Sequence, residues 1–248
     1  MKDTLSAKKI AVLSGHEEAQ ITVFDTLPST NTHLLALARA GAPAGRVILA
    51  ETQTAGRGRT GRSFFSPVGS GIYLSLLLRP RAFDAGQLTT LAAVVTASAI
   101  SRVCGIEVGI KWVNDLLFEG KKLCGILAEG SVGEFAVIGI GLNVKRSAFP
   151  PELSGIATSL EDILGVAPDR NTLVAEILRG FSEADPESTA HMDEYRRRSL
   201  TLARTVTVLS TGEVVRVLAI EDDGALLVED SDKKTRRICS GEVSVRNV

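Results

Sequence analysis

The chain has 248 residues, 44% of them hydrophobic, with 28 basic against 29 acidic side chains. That composition describes a soluble globular protein with a sizeable core, and its near-neutral balance argues against a duplex-binding protein, whose footprint is strongly basic. Without a signal-peptide pattern or a run approaching ~20 uninterrupted apolar residues, and with Cys104, Cys124 and Cys239 too scattered for a disulfide framework or zinc site, the expected setting is cytoplasmic, off the membrane.

Residues 1–20 are mixed in character and read as an N-terminal arm, with a short apolar run Ile10-Ala11-Val12-Leu13 ended by Ser14-Gly15 and no helix-turn-helix. Ile21 to Asp25 alternates as a strand. After Leu27-Pro28-Ser29-Thr30-Asn31 an apolar-rich helix runs through Leu34, Leu35, Leu37 and Ala38 to Gly41. Ser29 and Thr30 stand where a helix cap belongs, and the same hydroxyls could face a polar ligand.

Arg46 to Ala50 reads as a buried strand and Gly71 to Leu78 as another. Between them Gly56-Arg57-Gly58-Arg59-Thr60-Gly61-Arg62 interleaves three guanidinium groups with three glycines. The glycines let backbone approach a ligand while the cations converge on it, an arrangement suited to phosphate or carboxylate. Flanking strands and the aromatic pair Phe64-Phe65 argue against a solvated tail. Gln87 to Val103 has helical spacing of apolar residues and reads as a core helix.

Residues 107–118 read as a strand interrupted by a polar cluster, Lys111, Asn114 and Asp115, set among Ile110, Trp112, Val113, Leu116 and Leu117. Burying those three unpaired would be costly, so they must meet partners or a ligand. Phe118 to Lys121 signals a hairpin turn, and Lys122 to Glu129 is the returning strand, with Gly125 marking close approach to the backbone. Gly139-Ile140-Gly141 supplies a flat wall within the strand from Phe135 to Val144. Further on, Thr158 to Asp162 reads as a capped short helix, Asn171-Thr172 precedes an amphipathic helix, and Arg196-Arg197-Arg198 reads as a solvated helix face. His16, His33 and His191 are too scattered for a metal cluster and read as surface residues. Residues 201–248 alternate as short strands, a small β-barrel module distinct from the α/β body of residues 21–200.

These residues resemble the biotin–protein ligases, also called biotin–[acetyl-CoA-carboxylase] ligases. The resemblance rests on Ser29-Thr30-Asn31, Glu51 to Arg62, Phe65-Ser66-Pro67, Lys111-Trp112-Val113-Asn114-Asp115, Lys122-Leu123-Cys124-Gly125, Gly139 to Asn143, and Ser240 to Arg246. It implies an α/β (α+β) fold: a mixed sheet like that of class II aminoacyl-tRNA synthetases with helices packed on one side, then a small barrel of the Src-homology type. This chain departs from the family in having Val113 where proline is usual, Phe64 where tryptophan is frequent, and no tryptophan near Ile156-Ala157, where one bifunctional member stacks adenine. The short arm implies the monofunctional type, without an N-terminal DNA-binding domain.

The implied reaction activates biotin with ATP as biotinyl-5′-AMP and passes it to a lysine of a biotin carboxyl-carrier domain. The resemblance assigns biotin contacts to Ser29, Thr30, Asn31, Gln53, Arg57, Gly58, Arg59, Lys122 and Gly125. Arg57 and Lys122 suit the charge stabilisation this chemistry needs, with Lys111 and Asp115 in support. ATP and adenylate contacts fall to Arg59, Arg62, Asn114 and Asn143. Mg2+ is expected with ATP, but its ligands are not legible; no DNA partner is expected, and the assembly is expected to be a monomer or weak homodimer. Two rivals remain at this point: a lipoyl or octanoyl transferase, and a biotin-responsive or nucleic-acid-binding regulator.

Overall fold

The computed structural model describes residues 4–81, 84–147, 149–241 and 243–245. Seven strands form where the sequence places apolar and β-branched runs: β1 (Ile21–Leu27), β2 (Val47–Gln53), β3 (Gly71–Leu78), β4 (Gly109–Lys111), β5 (Asp115–Phe118), β6 (Lys121–Ser131) and β7 (Phe135–Asn143). They make one sheet in the order β1-β2-β3-β7-β6-β5-β4. β1 and β2 pair in parallel and the other neighbours antiparallel, so the sheet is mixed. A parallel pair needs a crossover, and α2 (Thr30–Arg39) supplies it.

Strand alternation divides the apolar side chains between two cores. Val47 and Leu49 of β2 join a large cluster, while their neighbours Ile48 and Ala50 join a small one on the opposite face. The large cluster holds the sheet against α3 (Ala85–Cys104), α4 (Leu160–Leu164), α5 (Arg170–Glu183) and α6 (Met192–Arg198), with α1 (Ala7–Ser14) packed on α5. The small cluster sets α2 residues Leu34, Leu35 and Ala38 against Leu27, Ile48, Ala50, Leu77, Phe135 and Val137. The helices are therefore not all on one side: α2 crosses the other face because its stripe matches the alternate residues of β1 to β3. α3 is long and apolar enough to span a membrane by length and composition, yet most of it is buried in this core.

The C-terminal segment is a five-stranded antiparallel sheet, β8 (Thr205–Val208), β9 (Val214–Ile220), β10 (Leu226–Glu229), β11 (Thr235–Ile238) and β12 (Val243–Val245), in the order β11-β10-β9-β8-β12. Glu242 and Arg246 of the terminal motif lie outside the described residues.

Four local readings change. The arm contains α1, capped by Ser6 and closed by Gly15 at φ 77. Residues 107–118 contain two antiparallel strands, β4 and β5, and the polar cluster brackets the turn between them: Lys111 ends β4, Asn114 lies in the turn and Asp115 opens β5, with the Trp112–Val113 peptide cis. Asp169, two residues earlier than expected, caps α5, and Asn171 is buried: its amide bonds Thr4 O at 3.1 Å and accepts from Ser6 N at 2.8 Å, holding the arm. The three arginines do not share a solvated face, because Arg198 is buried between Glu194 and Glu107 at 2.6 and 2.7 Å.

The most buried charge is Arg170, fully enclosed and paired with Glu51 at 2.8 Å; it also donates to Gly71 O. Glu51 in turn accepts from Leu5 N at 2.8 Å. Removing one member of such a pair strands the other charge in the interior. Glu51→Ala should cost roughly 3–5 kcal/mol of unfolding free energy, measured by urea titration, whereas replacing both residues by apolar ones should cost much less. A second outcome concerns acid. Arg197, and after it Arg198, hold the Glu194 carboxyl at about 2, against partial burial. A carboxyl lowered in the folded state adds stability above its unfolded value, roughly 4.3, and that stability is lost as pH falls through about 2. Glu194→Gln should therefore flatten the stability-against-pH curve across that window in denaturant titrations.

Candidate active site

On the same face of the sheet as α2, beyond the start of that helix, lies a cavity of about 460 Å³. That is within the range for a small organic ligand. Every residue expected at the site lines it except Asn143: Ser29, Thr30 and Asn31 from the start of α2, Gln53 at the end of β2, Arg57, Gly58, Arg59 and Arg62 from the basic loop, Lys111, Asn114 and Asp115 from the β4–β5 turn, and Lys122 and Gly125 from β6. Asn143 instead donates to Thr158 O at 3.0 Å, outside the cavity.

The floor is a chain of polar side chains, each paired with the next. Ser29 Oγ caps α2 by accepting from Thr32 N at 3.4 Å. Thr30 is already inside the helix, and its N–H donates to Gln53 Oε1 at 2.8 Å. Gln53 Nε2 donates to Ser66 Oγ at 2.9 Å, and Ser66 Oγ donates to Phe64 O at 3.0 Å. Fully buried Ser75 lies 2.8 Å from Thr30 Oγ1 and 2.6 Å from Asn31 Oδ1. Asn31 spends both amide hydrogens within the protein, on Leu127 O at 3.3 Å and Glu129 Oε2 at 3.0 Å. Its amide therefore keeps no donor for a ligand, while its oxygen has a second acceptor site beside Ser75.

Two glycines make room for this arrangement. A Cβ at Gly139 would sit 2.3 Å from Asn31 Oδ1, and one at Gly141 would sit 2.5 Å from Phe64 Cε1. The flat wall expected here lines the cavity, and Asn31 and Phe64 occupy the space that side chains at 139 and 141 would take. Phe64 also packs edge-on against Tyr73, with ring centroids 6.4 Å apart. Burial pushes the Tyr73 phenol up to about 12, so it stays neutral and donates to Pro67 O.

The basic loop is folded back on itself. Gly58 N donates to Arg62 O at 2.7 Å and Phe64 N to Gly56 O at 2.9 Å, around a turn with Thr60 at φ 51. Its cations have protein partners: Arg57 pairs with Glu129 at 2.7 Å, and Arg59 donates to Asn114 Oδ1 at 3.1 Å and Gly241 O at 2.9 Å. Across the cavity Lys122 Nζ lies 2.6 Å from Asp115 Oδ1, and Lys111 stands opposite Asp115 in register. Asp115 is the single carboxylate among the described lining residues.

The turn carrying these groups is fixed from behind. Tyr195 OH donates to Val113 O at 3.1 Å, Trp112 N to Thr201 Oγ1 at 3.0 Å and Trp112 Nε1 to Gly224 O at 2.7 Å. Leu209, just after β8, and Val243 of β12 also reach the cavity. Sequence reasoning gave no site role to Ser75 or Glu129, and quoted Ser66 and Gly241 only within motifs, without a role. Ser75 had a signal, a lone hydroxyl within the apolar run from Ile72 to Leu78.

Residues 23–143 match the biotin/lipoate A/B protein ligase family, and residues 201–246 match the biotin protein ligase C-terminal domain. The chain is 36% identical over 237 residues to the bifunctional ligase/repressor BirA of Bacillus subtilis, covering 89% of this chain and 72% of that protein. It is 35% identical over 257 residues to the biotin–[acetyl-CoA-carboxylase] ligase of Mycobacterium tuberculosis, covering 97% and 94%. A biotin protein ligase from Aquifex aeolicus, solved with biotin and ATP, superposes with a TM-score of 0.80 at 29% identity, over 91% of this chain and 98% of that one.

The close approach at Gly141 generates a stability outcome. Gly141→Ala should displace the Phe64 ring and cost about 1–3 kcal/mol of unfolding free energy by overpacking. Pairing it with Phe64→Leu should recover most of that loss in the same denaturant titration.

Proposed function

The chain belongs to the biotin/lipoate A/B protein ligase family, and from that premise we propose that it activates biotin as biotinyl-5′-AMP and transfers it to a carrier lysine. The carrier is the biotin carboxyl-carrier domain of a biotin-dependent carboxylase such as acetyl-CoA carboxylase. In the first step a carboxylate oxygen of biotin bonds to the α-phosphorus of ATP as the bond to the leaving pyrophosphate breaks. In the second, the carrier amine bonds to the activated carbonyl carbon, AMP leaves with the electron pair of the broken C–O bond, and the amine's proton passes to solvent.

Both steps shift negative charge on phosphate oxygens, so positioned cations contribute more than a covalent nucleophile. The observation that carries the reading is the Lys122–Asp115 pair, 2.6 Å apart, lining the same cavity as Arg57 and Arg59. An ammonium held by a carboxylate has a fixed direction, which suits a point charge on the α-phosphate. Asp115 orients Lys122, Arg57 takes the carboxylate or phosphate in two-point geometry, and Lys111, Arg62 and Asn114 lie within reach of the nucleotide. The apolar part of biotin finds Trp112, Phe64 and Leu127 in the lining. Thr30 and Gln53 carry the polar groups suited to its ureido ring.

Magnesium belongs to this reading as the counter-ion of the triphosphate. No cluster of three or more His, Cys, Asp or Glu side chains suited to a metal occurs among the described residues. Magnesium commonly binds through substrate phosphates, water and one or two carboxylates, and Asp115 is the carboxylate that the described lining would offer. A cytoplasmic setting, a monomer or weak homodimer, and catalysis without DNA complete the proposal; 28 basic against 29 acidic side chains suit a small anion better than a polyanion.

Pyrophosphate release from ATP tests it, with biotin, lipoate and octanoate added in parallel. Biotin-dependent release should fall about 100-fold or more in Lys122→Ala, the scale of losing a charge that stabilises the transition state. Release with lipoate alone would assign the chain to lipoate chemistry, and silence with all three acids would leave a binding protein.

A further inference from the structure

We propose that Glu129, which does not line the cavity, is a positioning residue that couples the basic loop to the cavity floor. Resting on the ligase reading above, the coupling sets how tightly the acid substrate is held before chemistry.

Glu129 stands near the end of β6 and uses its two carboxylate oxygens on two different elements. Oε2 accepts from Asn31 Nδ2 at 3.0 Å, and Oε1 accepts from Arg57 Nη2 at 2.7 Å. The first contact belongs to a buried network: Asn31 is 4% exposed, and its Oδ1 receives Ser75 Oγ at 2.6 Å over the space left by Gly139. The second reaches a guanidinium on the loop, whose side chain is 44% exposed. One carboxylate thus ties a rigid floor to a surface loop. The other end of that loop is tied to the same floor, because Phe64 O and Ser66 connect through Gln53 and Thr30 to Ser75. The loop is clamped at both ends by one connected set of hydrogen bonds, and Glu129 is the clamp at Arg57.

The donor and acceptor roles dictate a test. In Glu129→Gln the amide oxygen can still accept from Asn31, but the amide nitrogen then faces Arg57 and its bond is lost. In Asn31→Asp two acceptors face each other and the floor contact fails. Combined, the two changes restore both contacts: the new glutamine donates to the new aspartate and accepts from Arg57. Recovery is partial, because Leu127 O loses its donor.

Glu129→Gln should raise the KM for biotin about tenfold, the effect of one charge-assisted hydrogen bond, and lower kcat by a smaller factor, because Lys122 and Asp115 are untouched while Arg57 keeps its charge and loses its anchor. Asn31→Asp should raise KM further, and the double variant should fall well below Asn31→Asp alone. Limited trypsin digestion of the unliganded protein gives a reading that does not depend on the reaction: cleavage after Arg57 should speed up in Glu129→Gln and slow again in the double variant, with circular dichroism confirming that each folds. Unchanged KM and unchanged cleavage in Glu129→Gln would overturn the coupling, as would a double variant no better than Asn31→Asp. If Asn31→Asp does not fold, Glu129→Gln decides alone. If the unaltered chain releases no pyrophosphate with biotin, the ligase reading fails and the cleavage rates still decide the coupling.

Discussion

Asn31 cannot be buried at 4% exposure unless its amide is fully paired, and the site is built around meeting that demand. An unpaired buried amide costs on the order of 1–3 kcal/mol. Its oxygen takes Ser75 from β3, its nitrogen takes Leu127 and Glu129 from β6, and β7 yields the space with a glycine at 139. Three strands and the start of α2 are thereby held in one relation. The basic loop and the strand from Lys122 inherit their positions from it.

A second consequence is electrostatic. Arg57 faces Glu129 and Lys122 faces Asp115, so each of these cations already has an acidic partner. Such pairing reduces the cost of gathering positive charge at a partly enclosed site and gives each cation a direction. Arg57 and Lys122 remain partly exposed, so a ligand anion can approach them without first exposing a buried charge.

The site is also composite. The β4–β5 turn, which carries Lys111, Asn114 and Asp115, is anchored by Trp112 to Gly224 and Thr201, and Arg59 reaches Gly241. The small C-terminal segment therefore supports the cavity from behind and touches it through Leu209 and Val243. Polar backbone groups at strand turns do this work because their carbonyls need donors, and Trp112 and Arg59 supply them.

Much of this was legible in the residues themselves. Apolar alternation indicated most of the strands and serine the starts of α2 and α4, and these are local signals of period and capping. The expected lining residues, all but Asn143 of which line the cavity, came largely from the family resemblance that the short polar motifs carry. What the sequence could not determine was which polar groups face one another. Asn31 and Glu129 are 98 residues apart, Arg59 and Gly241 are 182 apart, and Arg170 meets Glu51 across 119. Whether Arg198 is solvated or buried, or Asn143 lines the cavity or bonds Thr158, depends on packing between elements. Hydrogen-bond satisfaction in the folded chain selects one partner among many chemically equivalent ones, and only the tertiary structure decides that choice.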